Sequence, residues 1–111
     1  MYAKATRYAI KPGMIEEAQE LSRKLLPAAA IIPGLKELLN LQRDDGEGIL
    51  IEIYENADEA ARAESAVRHV WDQFRHLYSE ATTSDGYDVR GRAFIDGDGD
   101  GNGEIEAGPD E

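Results

Sequence analysis

The chain has 111 residues, 12 of them Lys or Arg against 23 Asp or Glu, for a formal net charge of -11. The length suits one domain of the usual ~100–150 residues, and 41% hydrophobic with 32% charged residues allows a compact core. No cysteine is present, which excludes disulfides, thiolate metal sites and cysteine nucleophiles. The acidic balance argues against nucleic acid and anionic membranes as partners. The longest apolar run, Leu25 to Ile32, contains Pro27 and falls short of the ~20 residues a membrane span needs. With no signal-peptide pattern, a cytoplasmic protein is expected.

Residues 2–10 alternate in character, with Ala3, Ala5 and Ala9 on one face and Tyr2, Lys4, Thr6 and Tyr8 on the other, so they predict a strand. Lys11-Pro12-Gly13 breaks it. From Met14 the spacing becomes helical (Ile15, Ala18, Leu21, Leu25), with Glu16 and Glu17 in the first turn. Pro27 should kink or end this helix, and Pro33-Gly34 closes the segment. A second strand is expected over Leu35 to Arg43, with Leu35, Leu39 and Leu41 together. Asp44-Asp45-Gly46-Glu47-Gly48 has the composition of a hairpin turn. Ile49, Ile51 and Ile53 then line one face of a third strand, with Leu50, Glu52 and Tyr54 on the other. Asn56 to Glu59 forms a capping-box pattern that opens a helix running to about Tyr78. Its apolar stripe is Ala60, Val67, Val70, Trp71, Phe74 and Tyr78, and Asp58–Arg62 and Glu64–Arg68 are spaced for i,i+4 pairing. Ser79 to Gly86 reads as a polar loop. A last strand comes after it, with Tyr87, Val89, Ala93 and Ile95 on one face and Asp88, Arg90, Arg92 and Phe94 on the other.

The order β-α-β-β-α-β predicts an α+β fold of the ferredoxin-like type, one antiparallel sheet with two helices on one face. The Ala/Leu/Ile faces are expected under the helices. The opposite face, with Tyr8, Leu38, Leu50, Tyr54 and Phe94 among polar residues, is then too apolar to be left to water. A second copy of the chain is expected to cover it, giving a homodimer paired through the sheets.

The body resembles the antibiotic biosynthesis monooxygenase (ABM) family of dimeric α+β barrel proteins. The residues that carry the likeness are the first strand running into Lys11-Pro12-Gly13, the Ile32-Pro33-Gly34-Leu35 loop, Ile51-Glu52-Ile53-Tyr54-Glu55-Asn56 leading into Asp58-Glu59-Ala60, and Trp71. The resemblance covers residues 1–95. It implies a homodimer with a small cavity between sheet and helices in each subunit. It also implies a cofactor-free oxygenase acting on a phenolic or polyketide-type aromatic, or a non-catalytic binding or structural dimer of the same fold. No cofactor is expected. Haem-degrading members use an asparagine on the first strand and a tryptophan and a histidine on the second helix. Thr6, Ala63 and Gln73 stand at those places, so haem degradation is not expected.

Within that frame the candidate pocket residues are Thr6, Tyr8, Tyr54, Trp71, Phe74 and Arg92. Trp71 and Phe74 either fill the core or form a wall that stacks on a flat substrate. Tyr8 and Tyr54 face either the cavity or the dimer seam. Glu52, Arg90 and Arg92 share a sheet face by parity, as an ion pair or as an arginine that stabilises an oxygen anion. No residue stands out as a base. His69, Asp72 and His76 cluster on one side of the second helix, a spacing open to metal ligation but better explained as a solvated face.

Residues 96–111 carry seven acids and no base, leaving 16 acids against 12 bases in residues 1–95. With five glycines, this tail is expected to be flexible, separate from the 1–95 domain. Asp98, Asp100, Asn102 and Glu104 match the first positions of a Ca²⁺ loop, but Pro109 stands where the closing glutamate belongs. A weak Ca²⁺ site and a solvated acidic tail both remain open.

Overall fold

The computed structural model describes residues 1–95 and, as backbone, Glu104–Ala107. The elements are β1 (Tyr2–Ala9), α1 (Ile15–Ala30), β2 (Leu35–Gln42), β3 (Glu47–Tyr54), α2 (Ala57–Trp71), a 3-10 helix (Asp72–Leu77), β4 (Thr83–Asp88), β5 (Gly91–Phe94) and β6 (Glu104–Ala107). The first four strands form an antiparallel sheet in the order β2-β3-β1-β4, the ferredoxin-like arrangement expected. Among the described residues no helix is long and apolar enough to cross a membrane.

The turns form where their chemistry places them. Pro12-Gly13 and Pro33-Gly34 each put a proline before a glycine at positive φ, 83° and 87°, and close with Met14 N–H to Lys11 O (3.0 Å) and Leu35 N–H to Ile32 O (3.3 Å). In the β2–β3 hairpin Gly46 takes φ 92° and Asp45 Oδ1 accepts from Glu47 N–H at 3.0 Å. Asn56 Oδ1 accepts from Glu59 N–H at 2.8 Å and caps α2, while the Glu59 carboxylate pairs with Arg62 at 2.8 Å, in place of the expected Asp58–Arg62 pair. Glu64 and Arg68 pair as their spacing predicts.

Four expectations are corrected. Pro27 lies in the last turn of α1, which continues to Ala30; near the C-terminus a proline costs only one hydrogen bond of the ladder. α2 stops at Trp71 and the chain continues as a 3-10 helix. The last strand is displaced. β4 begins inside the expected loop, at Thr83, and ends at Asp88, opposite Tyr2 at the start of its partner β1, with Val89 N–H bonding Met1 O at 2.9 Å. Residues 91–94 instead form β5, paired with β6. Beyond that pairing, the expected flexible tail and its boundary lie outside the described residues.

The fourth correction concerns which face the helices cover. Cross-strand partners share a face, so Tyr2, Lys4, Thr6 and Tyr8 stand with Leu50, Glu52, Tyr54, Leu38, Asn40 and Gln42. This is the helix-covered face: Tyr54 packs with Ala29, Ile32, Ala63, Val67 and Val70, and Tyr8 packs against the cluster of Ile10, Ala18, Phe74 and Leu77. The aliphatic face of Ala3, Ala5, Ile49, Ile51, Ile53, Leu39 and Leu41 is the open one, with Leu39 44% and Leu41 50% exposed. A bulge between Leu35 and Glu37 separates Leu35 from Leu39 and Leu41 and sets it on the helix side opposite Tyr54.

Leu77 is fully buried, and its carbonyl accepts from Lys11 N–H at 2.8 Å, tying the 3-10 helix to the end of β1. Leu77→Ala should cost about 2–5 kcal/mol in urea unfolding; a loss below about 1 kcal/mol would show that this junction is not packed as described.

Candidate functional site

A cavity of about 640 Å³ lies between the sheet and the helices. Its floor is the polar face of the sheet: Lys4, Thr6 and Tyr8 from β1, Asn40 and Gln42 from β2, and Leu50 and Glu52 from β3. Val67, Trp71 and Phe74 close it from the helix side. The exposed residues Glu64, Arg68, Asp72 and Arg75 form a charged rim, where Arg68 pairs with Glu64 and Arg75 with Asp72 at 2.8 Å.

The aromatic wall depends on the change of helix type. In a 3-10 helix residues three apart eclipse, so Trp71, Phe74 and Leu77 turn inward together. The Trp71 and Phe74 rings lie 5.5 Å apart, and Phe74 stacks on Tyr78 at 6.5 Å with 10° between the planes. Tyr78 in turn meets Tyr8 at 5.8 Å. The same phase change breaks up the His69, Asp72, His76 face. Asp72 joins the rim, His76 stands 3.9 Å from Glu17, and no group of three acidic or histidine side chains is placed to hold a metal among the described residues.

Tyr8 reaches across β3 to donate to Asn40 Oδ1 at 2.6 Å. Gly48 makes this crossing available, because a Cβ there would stand 2.3 Å from the Tyr8 ring. Thr6 Oγ1 lies 2.8 Å from Ser84 Oγ, and Gln42 Nε2 is buried with no hydrogen-bond partner among the described residues. Burial raises the pKa of both Tyr8 and Tyr78, that of Tyr78 to about 12 with a further push from Tyr8, so both hydroxyls remain neutral donors.

The most unusual group is Glu52, 1% exposed. Tyr54, equally buried, donates its hydroxyl to Glu52 Oε1 at 2.6 Å, and Lys4 is the cross-strand neighbour on the same face. Desolvation raises the Glu52 pKa, opposed by the Tyr54 hydrogen bond and then by the Lys4 charge. The Tyr54 hydroxyl is itself pushed far up, by burial first and then by its bond to Glu52 and the charge there. The site therefore presents a desolvated acid across the strand pair from a lysine, opposite an aromatic wall. It can stack a flat apolar molecule and take a proton from it.

Of the expected pocket residues, Thr6, Tyr8, Trp71 and Phe74 come together on this cavity, and Phe74 is at once core and wall. Tyr54 lies beneath the floor and acts on it through Glu52. Arg92 stands elsewhere: its guanidinium is 3.8 Å from the Glu37 carboxylate, 3.2 Å from Met1 Sδ and 4.3 Å over the Phe94 ring. The expected grouping of Glu52 with Arg90 and Arg92 is thus not formed, since Glu52 is under the helices and Arg90 lies 3.6 Å from Asp88. Asp98, Asp100 and Asn102 lie outside the described residues, and Glu104 is described only as backbone, so the Ca²⁺ loop does too. Glu52 is the buried site acid that the sequence reading placed on the wrong side of the sheet. Its signal was a lone acid within Ile49-Leu50-Ile51-Glu52-Ile53-Tyr54, where a solvated strand would carry more than one.

No known family's sequence profile matches the chain, and no curated relative does. Solved structures do share its fold. A proposed antibiotic biosynthesis monooxygenase from Nitrosomonas europaea superposes with a TM-score of 0.68 at 20% identity, over 80% of this chain and 98% of that one. SnoaB, a cofactor-independent oxygenase from Streptomyces nogalater, gives 0.66 at 16% identity over 80% and 92%. A protein of unknown function from Nitrosomonas europaea gives 0.69 at 13% over 79% and 87%. The chain therefore has the fold of the ABM structures, a scaffold found with and without an assigned activity.

Folding raises the Glu52 pKa, so its share of stability is fully present below the unfolded-state value and is lost as pH rises through the folded one. The other titratable groups on this cavity (Lys4, Tyr8, Glu64, Arg68, Asp72, Arg75, Tyr78 and Glu80) are common to both proteins in the comparison. Glu52→Gln should gain in melting temperature on the wild type as pH rises from the acid range to neutrality. The wild type gaining on the variant over that interval would contradict the burial of an ionised Glu52.

Proposed function

We propose that the chain is a cofactor-independent monooxygenase that oxidises a phenolic or polyketide-type aromatic, working as a homodimer paired through the open face of its sheet. The observation that carries this reading is the cavity itself, a chamber of about 640 Å³ with a stacked aromatic wall and a polar floor. It matches a flat, hydroxylated molecule in both shape and chemistry. The likeness in fold to SnoaB supports the same reading.

In the reaction the substrate loses a hydroxyl proton, and the electron-rich ring anion reduces molecular oxygen by forming a C–O bond. The resulting hydroperoxide loses its ring C–H proton as the O–O bond breaks. One oxygen stays as a carbonyl, the other leaves as water, and the four electrons gained by O₂ all come from the substrate. The protein's part is to strip water from the anion and hold it against the aromatic wall.

The dimer is the consequence of the open face. Ile49, Ile51, Ile53, Leu39 and Leu41 make a contiguous aliphatic surface of the kind a monomer seldom leaves exposed. A twofold partner presenting the same face would bury it.

Oxygen uptake with dihydroxynaphthalenes and anthrones should yield one quinone for each O₂ consumed. Uptake no faster than buffer across the panel, with binding retained, would identify a non-catalytic binding protein. In sedimentation the wild type should run at twice 12.2 kDa and Ile51→Lys at 12.2 kDa. A wild-type particle of 12.2 kDa at micromolar concentration would refute the dimer.

A further inference from the structure

We infer that Glu52 is the proton acceptor of this site, with the Lys4 ammonium holding the substrate oxygen anion that its action creates. The inference rests on the monooxygenase reading for its substrate class, and it stands on the arrangement of three side chains. Glu52 lines the cavity and is 1% exposed, so its carboxyl group is nearly desolvated. Tyr54 fixes the group by donating to Oε1 at 2.6 Å, a bond that leaves Oε2 as the oxygen without that donor. Lys4 lines the same cavity from the adjacent strand, directly across from Glu52.

The three have separable roles. A substrate hydroxyl set against Oε2 gives up its proton there: the O–H bond breaks, its electron pair stays on the substrate oxygen, and the carboxylate becomes neutral. Lys4, whose positive charge acts on Glu52 from the paired strand, then faces the new phenolate on the same cavity, so charge moves there but none is created. Glu52 then returns the proton to the peroxide, takes the ring C–H proton, and delivers it to the departing hydroxide as water. Throughout, Tyr54 continues to donate to Oε1 and is a positioning residue. Its own proton stays put, because burial and the neighbouring carboxylate hold it far from ionisation.

Binding of a hydroxyanthraquinone without oxygen tests this apart from turnover, because neutral and ionised dye absorb at different visible wavelengths. Below the dye's solution pKa the wild type should bind it as the anion. Glu52→Gln should bind it as the neutral form, and Lys4→Met should bind it with a much smaller anionic fraction. Glu52→Asp, keeping a carboxylate, should restore part of the anion signal. It covers the case in which Glu52→Gln fails to fold. Where turnover is measurable, Glu52→Gln should lower kcat by about a hundredfold or more.

An anion spectrum equally strong in Glu52→Gln would overturn the assignment whatever the oxygen uptake. In the case where Glu52→Gln does not fold, an anion spectrum in Lys4→Met and Glu52→Asp no weaker than in the wild type would also overturn it. Failure of the wild type to bind any dye would remove both the cavity reading and the assignment. Ionisation of the dye that depends on Glu52, without oxygen uptake from any substrate, would sink the monooxygenase and leave Glu52 as a proton acceptor.

Discussion

The Tyr54 hydroxyl and the Glu52 carboxylate meet at 2.6 Å in a layer where each side chain is 1% exposed. A carboxylate removed from water costs several kcal/mol unless a charge or donors replace its hydration; Tyr54 and Lys4 replace only part of it, since desolvation still raises the Glu52 pKa. Both come from the sheet and neither from the helices. A helix layer packed directly on Glu52 would have to bring its own polar partner or neutralise the acid.

The sheet accordingly has two faces with different tasks. The side under the helices is mixed, with Tyr8, Thr6, Lys4, Glu52, Asn40 and Gln42 lining a chamber. The other has an aliphatic centre of Ala, Ile and Leu residues with Arg7, Glu37, Thr83 and Asp85 around it, and Tyr87 of β4 on the same face is 52% exposed. Proteins of this fold differ in what they do, and the present chain differs from its fold neighbours in more than three-quarters of the aligned positions. What distinguishes it must therefore be read from the chamber and not from the scaffold.

The order of elements, the turns and the α2 cap were legible in the sequence because each depends on residues close together: proline-glycine pairs, a two-residue period, an asparagine before a helix. The face under the helices was not. Parity groups Leu50, Glu52 and Tyr54 together but does not say whether polar members of a face meet solvent or a cavity, and the more apolar face is assigned inward by default. The bulge at Lys36 and the shift from α to 3-10 at Asp72 each change the phase of the residues C-terminal to them, and nothing local to either position announces it. β4 was hidden for a different reason: it is an edge strand with every residue exposed, so it has no alternation to detect. Of the site, the aromatic half (Trp71, Phe74, Tyr8) was visible as residue types that pack, whereas the acid was misplaced together with its face.

The central claim is that Glu52 is an acid buried under the helices and held by Tyr54. The direct measurement is the side-chain carboxyl ¹³C titration of Glu52, identified by comparison with Glu52→Gln. The account predicts a midpoint above the ordinary glutamate value of 4.5, with the Tyr54 ring resonances shifting over the same pH interval. A midpoint at or below 4.5, with Tyr54 unresponsive, would place Glu52 in water and contradict the account.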